Sequence, residues 1–271
     1  MLNLVTGSVE FSVVIGVALA AILLNTLDSR GFLASVGVGL AIVYGGGASW
    51  FFIVAVFFIL GVVFTLYKYG YKRRLGSAQE KGGARNWPNI LANGGAASVF
   101  AVFNFFSPSP LLAGLFLGAV STSAADTAAT ELGLLSRSRP RLVTNLRKSV
   151  TPGTSGGVSF LGALAAVLAS VVIGLMALFL GVLTIGLSVM VVCVVGGIFG
   201  AFFDSYLGAT VQRRGHCAIC LKPTEALNHC GEATRLTGGI GFIENNLVNL
   251  LATVAGALVS MLVVLAVMPA V

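Results

Sequence analysis

Uninterrupted apolar runs occupy most of this chain. Residues 158–203 form a run of 46 residues without one charged side chain, and a membrane-spanning helix needs only about 20 apolar residues. Charged residues make up 9% of the 271 residues, against about 25% in soluble domains. That is too little polar surface to coat a water-soluble fold. The sequence therefore predicts an integral membrane protein and excludes a soluble enzyme, a disordered chain and a disulfide scaffold.

The lengths of the apolar runs predict eight spanning helices in an all-α polytopic bundle. The run 31–66 is too long for one helix and contains Gly45-Gly46-Gly47. We therefore expect a short helix, a tight turn and a second helix there. The expected spans are 9–27, two within 31–66, 89–106, 111–125, two within 158–203, and 242–267. We treat residues 1–271 as a single integral-membrane domain.

Three polar loops separate these spans, at 67–88, 126–157 and 204–241. They hold 15 of the 16 Lys and Arg residues, and eight spans place all three loops on one side of the membrane. An excess of Lys and Arg marks cytoplasmic loops. We expect a multi-pass cell-membrane protein with its active face in the cytoplasm and both termini outside. The net charge of +7 then reflects topology and attraction to phosphates and anionic head groups.

Three acidic residues lie where apolar runs meet the loops: Asp126, Glu131 and Asp204. A carboxylate at membrane depth is costly and is a functional candidate, although Asp also caps helices. Asp126 and Glu131 lie about 140° apart on a helix, so only a loop or a helix break would let them converge. Carboxylates suit Mg²⁺, which combines one or two of them with substrate phosphates. The alternative is ion pairing with the basic residues of Arg137–Arg147.

A segment rich in Gly, Thr and Ser, Pro152–Ser159, follows two basic residues and precedes an apolar helix. Free N–H groups at a helix N-terminus and close backbone approach at glycine both favour phosphate binding. The segment is not a Walker A motif. We expect Lys148 to act as a catalytic cation. The candidate phosphate-binding residues are Arg147, Gly153, Thr154, Ser155, Gly156 and Gly157.

Four asparagines lie near the loop ends of the predicted helices: Asn93, Asn245, Asn246 and Asn249. Asn245 and Asn249 are four residues apart and share a helix face. They would bind a base, a ribose or phosphates, or link helices by hydrogen bonds. For Asn93, helix capping is the alternative to binding.

A cluster of Cys and His residues lies in the third loop. Cys217 and Cys220 form a C-x₂-C pair, and His229-Cys230 follows eight residues later. This spacing matches zinc-ligand usage. Because four ligands close the coordination shell, we expect a structural zinc in a small loop at 213–235. His216 is the alternative imidazole, and reduced thiols are the alternative to metal binding.

The polar residues also follow the order of a known family. The ordered set is Asn93-Gly94-Gly95, Asp126-Thr127 with Glu131-Leu132-Gly133, Pro152–Ser159, Asp204-Ser205 with Gly208-Ala209-Thr210 and Gln212, and Asn246 with Val248-Asn249. Over about residues 80–255 it resembles the integral-membrane family of largely unknown function that contains plant phytyl-phosphate kinase. More distantly it is similar to CTP-dependent dolichol and phytol kinases and to CDP-diacylglycerol synthases. The C-x₂-C…His-Cys insertion departs from the plant enzyme and resembles prokaryotic members.

The resemblance implies CTP-dependent conversion of a polyprenyl monophosphate, of phytyl or geranylgeranyl type, to its diphosphate. This suits a chain whose only two histidines belong to the cysteine cluster, because an ionised phosphate acceptor needs no strong base. Mg²⁺ would be held by Asp126, Asp204 and Glu131.

Two other functions use similar residues. One is a cytidylyltransferase that forms a CDP-lipid, and the other is a lipid or small-molecule transporter. A transporter would favour inverted repeats with broken midplane helices, and the sequence shows no clear repeat. The expected partners are a nucleotide, an isoprenoid lipid phosphate and membrane lipids, without nucleic acid, and a homodimer is left open.

Overall fold

A computed structural model describes residues 2–77, 81–221 and 223–268. The chain is a bundle of α-helices with short strands in two of its loops, which confirms the helix-bundle class. A 3₁₀ turn at Lys81–Gly83 precedes α4. The α-helices are α1 (Leu2–Leu23), α2 (Ser29–Leu66), α3 (Tyr69–Arg74), α4 (Trp87–Phe106), α5 (Pro110–Gly133), α6 (Phe160–Phe179), α7 (Ser188–Thr210) and α8 (Asn245–Val267).

Helix α2 is a hairpin of two helical legs. Gly47, at the junction, has φ +72° and ψ −171°, a conformation open to glycine. Gly31 and Gly61, near the outer ends of the two legs, both lie directly against Arg85. In a straight helix these two glycines would be about 45 Å apart. The chain therefore reverses at the glycine triplet, as the sequence predicted.

Six described helices are long and apolar enough to cross a membrane: α2, α4, α5, α6, α7 and α8. Helix α1 adds a shorter apolar stretch, Val9–Leu23. When the two legs of α2 are counted separately, these helices supply the eight apolar segments that the sequence predicted.

Helix α5 lies at the centre of the bundle. In its most apolar stretch 72% of the residues are buried, against 33–44% in the other five spanning helices. Ser121 Oγ of α5 donates to Cys193 O of α7 at 2.6 Å, and Ser260 Oγ of α8 donates to Val192 O at 2.9 Å. A Cβ atom at Gly196 would collide with Ser260 Oγ. Small residues thus let the backbones approach closely enough for Ser to bond across helices, as is typical of membrane helix packing.

The second and third loops contain small antiparallel sheets, which the all-α prediction omitted. Strands of two to five residues are too short for a period-two pattern to predict. The strands are β1 (Arg141–Leu142), β2 (Asn145–Ser149), β3 (Gly157–Val158), β4 (Arg214–His216), β5 (Pro223–Thr224), β6 (Asn228–His229), β7 (Glu232–Ala233) and β8 (Arg235–Gly238). In the second loop the strand order is β2-β1-β3, and in the third it is β5-β4-β8 with a separate β6-β7 pair.

The three basic loops meet at one end of the bundle, which we call the loop end. A Cβ atom at Gly153 would lie 2.1 Å from Ser77 Oγ, so the second loop touches the first. Ser155 donates a hydrogen bond to Glu225, so the second loop also touches the third. The loop end thus gathers the N-termini of α4, α6 and α8 and the C-termini of α5 and α7.

Candidate active site at the loop end

Asp126 and Asp204 lie inside helices, in the last turns before the loop end. Helix α5 is continuous from Pro110 to Gly133 and α7 from Ser188 to Thr210, so neither Asp is a helix cap. Gly200 and Thr122, each four residues before one of these acids, lie directly against each other, and Glu225 accepts a hydrogen bond from Ser155 beside this end of α7. Two spanning helices and the third loop therefore bring three acidic side chains into one neighbourhood. We call Asp126, Asp204 and Glu225 the carboxylate cluster.

Glu131 does not join Asp126. Their convergence required a loop or a helix break between them, but α5 is continuous from Pro110 to Gly133. Glu131 is buried and accepts hydrogen bonds from Lys72 Nζ at 2.7 Å and from Thr65 Oγ1 at 3.0 Å. Its ionic partner is thus a lysine of α3, and not the Arg137–Arg147 run. Glu131 fastens α5 to α2 and α3, and these bonds occupy the oxygens that Mg²⁺ would need.

Glu225 is the third acid of the cluster, and it was not predicted as a site residue from the sequence. Ser155 Oγ donates to one carboxylate oxygen of Glu225, and Gln212 Nε2 donates to the other at 2.6 Å. Burial raises the pKa of Glu225 above its usual 4.5, and the two hydrogen bonds oppose that shift. The one local signal for Glu225 is its place between the two halves of the cysteine cluster.

Asn249 supports Asp204 across the interface between α8 and α7. With its amide nitrogen facing the neighbouring acceptors, Asn249 donates to Asp204 Oδ2 at 3.1 Å and to Asn245 O at 3.0 Å. The side chain of Asn245 is exposed and that of Asn246 is half-buried. Asn249 therefore links helices and orients a candidate metal ligand, while nucleotide contacts of Asn245 and Asn246 stay a prediction.

Asn93 is buried in the interior of α4, so the capping alternative is wrong for it. Its side chain donates to Asn89 O at 2.9 Å, and its backbone carbonyl oxygen accepts from Ser123 Oγ of α5 at 2.8 Å. Ser123 precedes Asp126 by three residues, which is about one helical turn. Asn93 thus fixes α4 against α5 beside the carboxylate cluster, and its contact with a ligand stays a prediction.

The glycine-rich segment leads directly into α6, as the sequence predicted. Helix α6 begins at Phe160, and Ser159, the last residue of the segment, caps it by accepting a hydrogen bond from Gly162 N at 3.1 Å. A Ser side chain at the N-cap position satisfies one of the free N–H groups of the first turn. The glycines lie before this cap, and Gly157 belongs to β3, which pairs with β1.

The same loop packs closely on the end of α7. A Cβ atom at Gly156, where φ is +75°, would lie 2.5 Å from Ala209 Cβ and 2.7 Å from Ser205 O. Only glycine fits this backbone conformation and this close approach. Gly153 and Thr154 form the exposed tip of the loop. Binding of phosphate by this tip stays a prediction.

Arg147 and Lys148 lie on β2 with exposed side chains. Across residues 2–77, 81–221 and 223–268, no hydrogen bond or ion pair joins either side chain to the carboxylate cluster. The structure places both residues at the loop end but not in contact with the acids. Their action as phosphate clamps stays a prediction.

The carboxylate cluster has no cationic partner in the described part of the chain. Lys72 and Glu131 form an ion pair at 2.7 Å, but this pair lies outside the cluster. Adjacent carboxylates that lack a counter-charge favour a proton or a divalent cation between them. Hard carboxylate oxygens are the ligands that Mg²⁺ prefers. Asp126 and Asp204 supply oxygens of this kind, whereas both oxygens of Glu225 accept hydrogen bonds from Ser155 and Gln212.

The structure brings the Cys and His residues of the third loop together. The ligand atoms of Cys217, Cys220, His229 and Cys230 all lie within 4.8 Å of one another. His216 lies on β4 with an exposed side chain, so His229 is the imidazole of the group.

Comparisons with known proteins identify the family. The chain is 30% identical over 238 residues to "Uncharacterized membrane protein MJ0933" of Methanocaldococcus jannaschii, which covers 88% of this chain and 85% of the relative. It is 32% identical over 248 residues to Protein PGR of Arabidopsis thaliana, with 83% and 84% covered. It is 28% identical over 196 residues to Protein VTE6, chloroplastic, of the same plant, with 70% and 58% covered. No solved structure matches the chain significantly. The sequence profile "Integral membrane protein DUF92" matches residues 12–257, and the chain therefore belongs to that family.

Proposed function

We propose that this protein transfers the γ-phosphoryl group of CTP to a polyprenyl monophosphate of phytyl or geranylgeranyl type, giving the diphosphate. The family membership supports the proposal through the resemblance to phytyl-phosphate kinase described above. The observation that carries it is the carboxylate cluster, in which acids from α5, α7 and the third loop lie close together at the loop end and form no ion pair with a described Lys or Arg.

The chemistry of this reaction suits a site that has no general base. The acceptor phosphate is already ionised at neutral pH, so catalysis depends on positioning and electrostatic stabilisation. The bond from γ-phosphorus to its bridging oxygen breaks, a prenyl phosphate oxygen forms the new bond, and CDP leaves. A bound Mg²⁺ would neutralise charge on the phosphates.

Each described residue then has a defined task. Asp126 and Asp204 hold the metal, and Asn249 orients Asp204 through its hydrogen bond. Glu225 ties the glycine-rich loop to α7 and adds the third carboxylate. The exposed cations of the loop end attract the polyanionic nucleotide. We place this end in the cytoplasm, because cytoplasmic loops carry the excess of Lys and Arg.

We propose that the lipid binds between α1, α2 and α4. A narrow cavity of about 80 Å³ is lined there by apolar residues that include Val14, Val38 and Phe51, with Arg85 and Asn93 among its polar members. Burial lowers the pKa of Arg85 to about 10, and the charge of Glu131 opposes that shift. Arg85 is thus still cationic at neutral pH. The lipid phosphate would bind Arg85, and part of the tail would lie along the apolar lining.

The test uses purified protein, a prenyl monophosphate and CTP labelled at either the α or the γ position. The proposal expects γ label in a lipid diphosphate and α label in CDP, and both should require Mg²⁺. Alpha label in the lipid together with released pyrophosphate would instead identify a cytidylyltransferase. Movement of the lipid across vesicles without label transfer would identify a transporter.

A further inference from the structure

The ligand atoms of Cys217, Cys220, His229 and Cys230 lie close together, all within 4.8 Å of one another. Cys220 Sγ and Cys230 Sγ lie 3.5 Å and 3.2 Å from His229 Nδ1. Zinc bonds of about 2.3 Å to sulfur and about 2.0 Å to nitrogen put tetrahedral ligands roughly 3.5–3.8 Å apart. The two sulfur–nitrogen distances are thus close to those of a zinc coordination shell, and the whole group is compact enough to share one ion.

The backbone around this group is turned in a way that brings the ligands inward. Leu221 N donates to Cys217 O at 3.1 Å, which closes the turn of the C-x₂-C pair. Leu221 and Cys230 have φ values of +56° and +54°, a conformation that is rare for residues other than glycine. The four cysteines of the chain are all free thiols, so no disulfide fixes these turns.

The chemical type of the four ligand atoms favours zinc over other metal ions. Three sulfur atoms and one imidazole nitrogen are soft or borderline ligands, which favour zinc over Mg²⁺ or Ca²⁺. Four protein ligands leave no open position for water, and a closed set of this kind is structural rather than catalytic. A short loop with little apolar core gains its folding free energy from such a metal.

The loop between the two ligand pairs carries Glu225. Its carboxylate is bonded to Ser155 of the second loop and to Gln212 after α7. Behind it, Thr234 Oγ1 donates to Ala226 O at 2.6 Å. Glu225 therefore reaches the carboxylate cluster only while the third loop keeps its folded shape.

We propose that Cys217, Cys220, His229 and Cys230 bind one structural Zn²⁺, and that this ion holds the third loop in the shape that places Glu225 at the carboxylate cluster. The zinc site stands on its own geometry, whereas the consequence for catalysis rests on the proposed function.

Metal analysis of the full-length protein, purified in detergent under reducing conditions without chelator, tests the site. We expect about one zinc per chain, and Co²⁺ taken up in its place should show thiolate charge-transfer absorption. The Cys217→Ser/Cys220→Ser double variant should lose the metal, whereas Cys193→Ser, which changes a buried thiol of α7, should keep it. Substoichiometric zinc with no uptake of Co²⁺, stoichiometric iron, or zinc retained in the double variant would overturn the proposal.

Limited proteolysis tests the link to loop shape without any activity assay. Arg214 and Arg235 are exposed in β4 and β8, and trypsin should cut there much faster after zinc is removed. Unchanged cleavage of the zinc-free protein would overturn the positioning role. Glu225→Gln should keep the zinc, which controls for general damage. Zinc present in a protein that transfers no label contradicts the proposed function alone, whereas label transfer at full rate without zinc contradicts this inference alone.

Discussion

Lys72 and Glu131 form a buried ion pair with a separation of 2.7 Å that joins α3 to α5, and their side chains are 0% and 5% exposed. Removal of one partner leaves an unpaired charge in a buried site, which costs about 3–5 kcal/mol. We expect Lys72→Met and Glu131→Gln each to lower the unfolding temperature markedly. The double variant should lose much less than the sum of the two. Thermal unfolding in detergent measures all three, and strictly additive losses would contradict the pairing.

Gly156 should be far less tolerant of a side chain than Gly181, although φ is positive at both. Gly156→Ala adds a Cβ atom that would lie 2.5 Å from Ala209 Cβ, whereas Gly181, with φ +64°, has no such neighbour within 4 Å. Gly181→Ala therefore isolates the backbone strain, about 1–2 kcal/mol. Gly156→Ala should cost clearly more, because the loop must also move away from α7. Equal shifts in unfolding temperature for the two variants would argue against the close packing.

The two ends of the bundle should be labelled from opposite sides of the membrane. Ser138, in the second loop, and Ser107, between α4 and α5, are both exposed and lie at opposite ends. In a background without reactive thiols, a membrane-impermeant maleimide should reach Ser107→Cys in intact cells. It should reach Ser138→Cys only after lysis. Labelling of both positions from the same side would contradict the bundle topology, and the reverse pattern would contradict the cytoplasmic assignment of the loops.

The raised pKa of Glu225 predicts a pH-dependent stability. Its folded-state pKa lies above the usual 4.5 because burial disfavours the charge. The folded protein then binds this proton more tightly than the unfolded chain, so stability falls as the pH rises from about 4.5 through the folded pKa. Glu225→Gln lacks this ionisation.

In buffer free of Mg²⁺, the unfolding temperature of Glu225→Gln relative to the wild type should therefore rise with pH. Glu232→Gln, an exposed acid in β7, serves as the control and should follow the wild type at every pH. A difference between Glu225→Gln and the wild type that stays constant or shrinks with rising pH would contradict the assignment.

Local sequence patterns were sufficient to predict the chain reversal in α2 and the Cys and His cluster of the third loop. The glycine triplet at 45–47, in an apolar run too long for one helix, predicted a reversal of the chain. The structure has this reversal at Gly47, which adopts a positive φ. The Cys and His cluster was recognisable because its ligands lie within 14 residues. Spacing along the chain carries the required information in both cases.

The partners of the acids were not predictable in this way. Glu131 pairs with a lysine 59 residues away, and Glu225 bonds a serine 70 residues away. Both contacts depend on how the three loops pack together at the end of the bundle. Helix α5 continues past residue 125, where the sequence predicted the start of the second loop. The reason is that α5 is surrounded by other helices, and tertiary packing outweighs the modest helix propensities of Asp and Thr.

Transfer of γ label from CTP to a prenyl monophosphate by Asp126→Asn and Asp204→Asn tests the central claim most directly. Each substitution removes one negative charge and keeps the size of the side chain, so both proteins should fold normally. If these carboxylates hold Mg²⁺ against the phosphates, transfer should fall at least about 100-fold, and added Mg²⁺ should restore part of it. Glu232→Gln should transfer label at the wild-type rate. Full transfer by folded Asp126→Asn and Asp204→Asn proteins would contradict the account.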